Sequence, residues 1–223
     1  MRGLFVTGTD TDCGKTRVAV AIIRRLRADG LRVAGFKPVA AGAEQGRDGL
    51  RNTDALALAA ASGLDVPYER VNPYCFAPPI APHIAAAESG VTIDPGCLRA
   101  VFDELALSCD LVVVEGAGGW RVPLGPGCDI QSLALALELP VVLVVGLRLG
   151  CLNHAQLSEQ SILASGACLL GWIGSAIDPD MARRSENLVA LDGLLQSPCL
   201  GVLGYGAAPR EELAALDGLP ELL

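Results

Sequence analysis

Residues 5–20 read FVTGTDTDCGKTRVAV, and no other stretch limits the fold of this chain as tightly. A short apolar run, Gly3 to Val6, feeds a Gly/Thr/Asp loop that ends in Gly14-Lys15-Thr16. Behind the loop, Val18, Ala21, Ile22, Ile23 and Leu26 recur at helical spacing. Strand, glycine-containing loop and helix, in that order, are the context a phosphate-binding loop requires. Loop amides and a helix N-terminus offer free N–H groups and a partial positive charge to phosphate. Lys15 adds a point charge for the β- and γ-phosphates, and Thr16 a hydroxyl for Mg2+. Five residues separate Gly8 from Gly14, one more than G-x-x-x-x-G-K-[ST] allows, so in strict register Thr9 holds the first glycine position. The reading is nucleoside triphosphate binding.

At 223 residues the chain is read as one domain, 1–223, with enough length for a substantial core. Its 51% hydrophobic content and mean hydropathy of +0.42 raise the question of a membrane. The longest apolar run, Leu133 to Leu147, is broken by Glu138 and Pro140 and is too short to span. No basic segment followed by an apolar one opens the chain, so no secretory signal is read. The net charge of −8 and the isoelectric point near 4.7 argue against nucleic acid, since the only basic cluster is Arg24, Arg25 and Arg27 on one helix. Eight cysteines are scattered without C-x-x-C, fitting neither zinc spacing nor a disulfide framework. A cytosolic enzyme is the expectation.

Apolar, β-rich runs recur at 3–7, 31–36, 110–115, 140–146, 168–175 and 199–203. Several are nearly continuous, as parallel strands covered on both faces should be. Helical patterns lie between most of them, at 15–28, 52–61, 97–107, 129–138, 153–165 and 183–196. This alternation predicts an α/β doubly wound, mostly parallel sheet with helices on both faces, of the P-loop NTPase kind. The proline-rich stretch 67–96 reads as a long surface excursion with one short helix.

In such a fold, ligands sit beyond the carboxyl ends of the strands. Lys37 follows the second strand, where it either reaches the phosphate site or stands as a solvated lysine. Asn52 and Thr53 are cap candidates for the next helix. Asp54 then falls in the first turn, either complementing the helix dipole or serving Mg2+. In DLVVVEGAGG (110–119), four apolar residues end in Glu115 and glycines follow. A strand-end carboxylate beside a phosphate loop is where a metal-binding or water-holding acid belongs. Asn153 or a neighbour opens the helix after Leu147, and free amides there suit a carboxylate. His83 and His154 read as hydrogen-bonded structural groups, Trp120 and Trp172 as packing anchors, and Arg183 and Arg184 as a solvated helix face.

The segments TGTDTDCGKT, FKPVAAG, RNTDALAL, VNPYCFAPPIAPH, VVEGAGGW and VVGLRLGCLNHAQL, with GW at 171–172, stand in an order and spacing that resemble dethiobiotin synthetase over almost the whole chain. The resemblance implies a cytoplasmic, homodimeric P-loop ligase of biotin synthesis. Such an enzyme uses MgATP and CO2 or bicarbonate to carboxylate 7,8-diaminononanoate and close the cyclic urea of dethiobiotin. By resemblance, Lys37, Lys15 and Thr11 stabilise a carbamate. Nucleotide contacts fall to Asp12, Cys13, Gly14, Lys15, Thr16 and Arg17, then to Asp54, Glu115, Gly116, Ala117 and Gly118. Near the chain's end they fall to Ser175, Ala176, Gly204, Tyr205, Gly206 and Glu211. The Mg2+ shell is Thr16, Asp54 and Glu115. Substrate is held by Thr11, Lys37 and Ala41, and its far carboxylate by the amides of Gly150, Cys151, Leu152 and Asn153 across the dimer.

Four positions depart from what is frequent in the family. Ala41 stands for a serine, Ser175 for an adenine-reading asparagine, Gly204 for a proline and Asn187 for a tyrosine. Relaxed base preference, with CTP used comparably to ATP, is the expectation. Cobyrinate-type amidoligases usually carry a further glutaminase domain. Partitioning-type ATPases usually carry an extra lysine early in the loop, and Thr9 to Cys13 contain none. A small-molecule kinase leaves Lys37 and VEGAGGW unexplained.

Overall fold

The computed structural model describes residues 2–219. The chain opens with strand β1 (Gly3–Gly8), helix α1 (Lys15–Ala28) and strand β2 (Val33–Phe36). Small elements follow: β3 (Val39–Ala41), the hairpin of β4 (Glu44–Gly46) and β5 (Gly49–Arg51), then α2 (Thr53–Ser62), α3 (Tyr68–Val71), β6 (Tyr74–Phe76) and α4 (Pro82–Glu88). Helix α5 (Pro95–Ser108) leads into β7 (Leu111–Glu115), the hairpin of β8 (Pro123–Gly125) and β9 (Cys128–Asp129), and α6 (Ile130–Leu137). The last third alternates: β10 (Val141–Leu147), α7 (Cys151–Ala164), β11 (Leu169–Ala176), α8 (Arg184–Leu194), β12 (Cys199–Leu203) and α9 (Pro209–Ala214).

Six strands form one parallel sheet in the order β2-β7-β1-β10-β11-β12. β1, β7 and β10 are buried along their whole lengths, which explains their unbroken apolar sequence. Because strand side chains alternate, each strand feeds two cores. Phe5, Val112, Val114, Leu143 and Val145 pack with Leu98, Phe102, Leu133 and Ile162 of the helices on one face. Leu4, Val6, Val113, Val142 and Val144 pack on the other with Val18, Ile22, Ile23 and Leu26 of α1 and Leu58 of α2. Each such side chain stabilises the fold by about 1.5–3 kcal/mol of transfer free energy. β1 lies between β7 and β10, and the chain winds outward from it in both directions. The crevice at its carboxyl end is therefore the ligand position of a doubly wound sheet.

The six strands and six helices read from the sequence are all present, their ends moved by at most two residues. Asn52 caps α2, its Oδ1 accepting from the amides of Asp54 (3.1 Å) and Ala55 (3.3 Å), so Thr53 is the first helical residue instead. Trp120 and Trp172 are buried, with Trp120 edge-on to Phe5 at 6.5 Å between centroids. The stretch 67–96 corrects the expectation of a surface excursion with one helix. It carries α3, β6 and α4, and β6 pairs in parallel with β3, Val39 opposite Tyr74 and Ala41 opposite Phe76. Phe76, Ala85, Ala86 and Ile93 enter the core. Prolines 78, 79 and 82 interrupt any periodicity, and the pairing that orders the stretch is non-local.

Candidate functional site

The phosphate-type loop is wedged between the ends of three strands. Gly14 has φ of 93°, a left-handed conformation that suits glycine, and a Cβ there would collide with the Ser175 side chain of β11. Gly146 of β10 admits the loop closely: a Cβ at that position would lie 2.9 Å from Cys13 Cα. The Cys13 side chain turns away into the core around α1. The Lys15 ammonium, 6% exposed, donates to the Asp10 carbonyl at 2.7 Å. The Asp10 carboxylate pairs with Arg148, just beyond β10.

On the β7 side, Glu115 is fully buried. Its Oε1 accepts from the Thr16 hydroxyl at 2.8 Å and from the Lys37 ammonium at 2.7 Å. Lys37 also contacts Asp54 Oδ2 at 3.0 Å. Burial opposes the Lys37 charge, but Glu115 and Asp54 outweigh it and hold its pKa above the usual 10.5. Burial likewise works against the Asp54 carboxylate, and Lys37 again prevails, so Asp54 titrates below 3.8. The open question of a solvated strand-end lysine is thereby settled: Lys37 is 4% exposed and ion-paired.

The backbone of Lys37 is pinned from the stretch that sequence reasoning left irregular. Its N–H donates to Val71 O at 2.8 Å, and its carbonyl accepts from Asn72 Nδ2 at 2.7 Å. Asn72, 2% exposed, also donates to Tyr74 O (3.2 Å) and accepts from the Tyr68 hydroxyl (3.0 Å). Asn72 was missed by sequence reasoning; its one signal was an amide side chain lodged in an apolar, proline-rich run.

A cavity of about 910 Å³ lies over these groups, within the range of small-molecule sites. Thr11, Asp12, Gly14, Lys15, Thr16 and Arg17 line one side; Lys37, Ala41, Asp54, Glu115, Ala117 and Gly118 line the other. An apolar wall of Pro79, Ile80, Ala81, Pro82 and Val122 completes it.

Other sequence-read residues lie outside this lining. Cys13, Gly116, Ser175 and Ala176 are buried behind it. Gly204, Tyr205 and Gly206 form an exposed loop after β12. Glu211 is exposed and accepts from the Ala208 amide at 2.9 Å, capping its own helix. Its neighbour Glu212, 7% exposed, instead grips Arg17 Nε at 2.6 Å; nothing in the sequence distinguished it. Gly150, Cys151, Leu152 and Asn153 start α7 away from the cavity, and Asn187 donates to Arg183 O at 2.9 Å within α8. Among the described residues, His83 Nδ1 is buried without a partner, which corrects its reading as a hydrogen-bonded group. No helix among them is long and apolar enough to cross a membrane.

Parallel sheet, wedged loop and strand-end acid together define a P-loop nucleotide-binding protein. Residues 2–208 match the AAA domain family AAA_26. The MinC:MinD cell division protein complex of Aquifex aeolicus is similar in fold, with a TM-score of 0.58 at 15% identity over 90% of this chain and 80% of that one. The ATP-dependent dethiobiotin synthetase BioD of Aromatoleum aromaticum is 51% identical over 217 residues, 96% of each chain. That of Pseudomonas aeruginosa strain UCBPP-PA14 is 52% identical over 223 residues, 99% of this chain and 98% of the relative. The chain belongs to the dethiobiotin synthetase family.

Proposed function

We propose that this chain carboxylates 7,8-diaminononanoate with CO2 at the expense of MgATP and closes the ring to dethiobiotin, releasing ADP and phosphate. The observation that carries the reading is that Lys15 and Lys37, from opposite flanks, line one cavity together with Thr11, Thr16, Asp54 and Glu115. A neutral substrate amine attacks CO2, losing a proton and forming a carbamate. The carbamate oxygen displaces ADP from the γ-phosphoryl group, giving a carbamic–phosphoric anhydride. The second amine then attacks the carbonyl carbon, expels phosphate and closes the urea.

None of these steps needs a protein nucleophile; positioning and charge neutralisation carry the rate. Lys37 acts as a fixed positive charge beside the carbamate rather than as a base, because its raised pKa keeps it protonated at neutral pH. Lys15 and the Thr11 hydroxyl serve the same anion from the loop side. The apolar wall around Ile80 and Val122 suits the hydrocarbon chain of the diamine.

Thr16, Asp54 and Glu115 offer the hard oxygen donors that Mg2+ takes. Glu115 Oε2 is buried and has no hydrogen-bond partner among the described residues, a carboxylate oxygen left for such an ion. Bound there, Mg2+ would neutralise charge on the triphosphate.

The unit acts as a cytoplasmic homodimer. Leu149 is 92% exposed and Leu157 58% exposed, flanking the helix start from Gly150 to Asn153. A second copy would cover these side chains and bring that helix start to the substrate carboxylate. Base preference is relaxed, since the Ser175 side chain is fully buried. Steady-state ADP release measured with and without the diamine and bicarbonate tests the reading. Release that requires both supports it; release indifferent to the diamine refutes it.

A further inference from the structure

We propose that Arg17 relaxes the nucleobase preference of this site by donating to the keto oxygen on the edge of guanine, cytosine or uracil, so that these bases compete with adenine. The inference rests on the nucleotide-site reading above. Arg17 lies in the first turn of α1, next to Thr16. Its guanidinium leaves the loop and spans the ends of two strands. Nε donates to Glu212 at 2.6 Å, Nη1 to Ala176 O at 3.5 Å, and Nη2 to Gly204 O. Glu212 is 7% exposed and fixes the fork in place from α9.

Arg17 lines the cavity, whereas Ala176 and Gly204 do not. The guanidinium therefore stands between the triphosphate region and the strand ends expected to read the base. Ser175, the side chain expected there, is fully buried against Gly14, and its hydroxyl has no partner among the described residues. A base entering this end meets Arg17 first.

The chemistry of that meeting is one-sided. The carbonyls of Ala176 and Gly204 each accept one hydrogen bond from Arg17 and keep a second lone pair, but unlike Arg17 neither residue lines the cavity. A guanidinium carries five N–H donors and no acceptor. With three engaged by Glu212, Ala176 and Gly204, two have no partner among the described residues and remain for a ligand. Guanine, cytosine and uracil each present a keto oxygen to such donors; adenine presents an amino group in that place and has only ring nitrogens as acceptors. Stacking of the guanidinium plane on a base is indifferent to base identity, so selectivity must come from the edge donors.

The test is calorimetric titration of wild type, Arg17→Val and Arg17→Lys with ATP, GTP, CTP and UTP in the presence of Mg2+. Diamine-dependent nucleotide turnover is measured in parallel. Wild type should bind at least one keto-bearing triphosphate as tightly as ATP. Arg17→Val should weaken the keto-bearing triphosphates about tenfold relative to ATP, the scale of one lost directional pair. Arg17→Lys keeps the charge but not the fork and should move the ratio the same way; if the valine variant does not fold, this variant decides. A common shift for all four nucleotides, or no shift, overturns the proposal. Because binding is read without turnover, loss of diamine dependence would sink the ligase reading and leave the base ratio to be judged separately.

Discussion

The ammonium of Lys37 lies 2.7 Å from Oε1 of Glu115, and that same oxygen accepts the Thr16 hydroxyl at 2.8 Å. One buried carboxylate oxygen thus joins the end of β2, the start of α1 and the end of β7. A fully buried Glu would be costly without such partners, and here both come from cavity-lining residues.

If Lys37 serves the carbamate as proposed, Lys37→Gln should abolish most turnover, by about 100-fold or more, through loss of a preorganised charge. It should also destabilise the fold by about 3 kcal/mol, since a lone buried carboxylate is left behind. Adding Glu115→Gln should restore much of the stability without restoring turnover. Urea unfolding alongside ADP release separates the two effects.

Asn72→Ala should act on Lys37 from behind. Two carbonyls, Lys37 O and Tyr74 O, lose a buried donor, at a cost of about 1–3 kcal/mol. Turnover should fall about tenfold through misplacement of Lys37. The affinity for nucleotide should stay as in wild type, and calorimetry against steady-state kinetics would read this split.

Stability should have an acid and an alkaline limb with assigned owners. Partial burial works against the charge of the Asp54 carboxylate, but Lys37 holds its pKa below 3.8. Its contribution is therefore present above pH 3.8 and lost as pH falls through the depressed folded value. The Tyr68 phenol is pushed up from 10.0 to about 12, chiefly by burial. Its contribution is complete below pH 10.0 and lost as pH rises through about 12. Asp54→Asn should flatten the first limb and Tyr68→Phe the second, as read by denaturant midpoints across pH.

Ala41→Ser should tighten the diamine. Ala41 lines the cavity and is only partly buried, so a hydroxyl there can face a ligand. One added hydrogen bond predicts a KM for the diamine lower by about three- to tenfold, with kcat unchanged. An unchanged KM would mean that position 41 does not touch substrate.

The parallel sheet was legible because burial on both faces forces unbroken apolar runs, as in Val141–Leu147, and these need no knowledge of partners. The loop around Gly14 and the strand-end acid Glu115 were legible for the same reason: each follows such a run. What was not legible depends on distant pairing. β6 is ordered by β3, more than thirty residues away in the chain, and Asn72 acquires its role only from that pairing. Glu211 and Glu212 are indistinguishable as sequence, and only the path of α9 past α1 turns the second toward Arg17.

The most direct test supplies 13C-bicarbonate, 7,8-diaminononanoate and MgATP to the purified chain and follows the label by NMR. The account predicts that the label enters a ureido carbonyl in step with ADP release, and that Lys37→Gln abolishes both. ADP release with no labelled cyclic product, or labelled product formed equally well by Lys37→Gln, would contradict it.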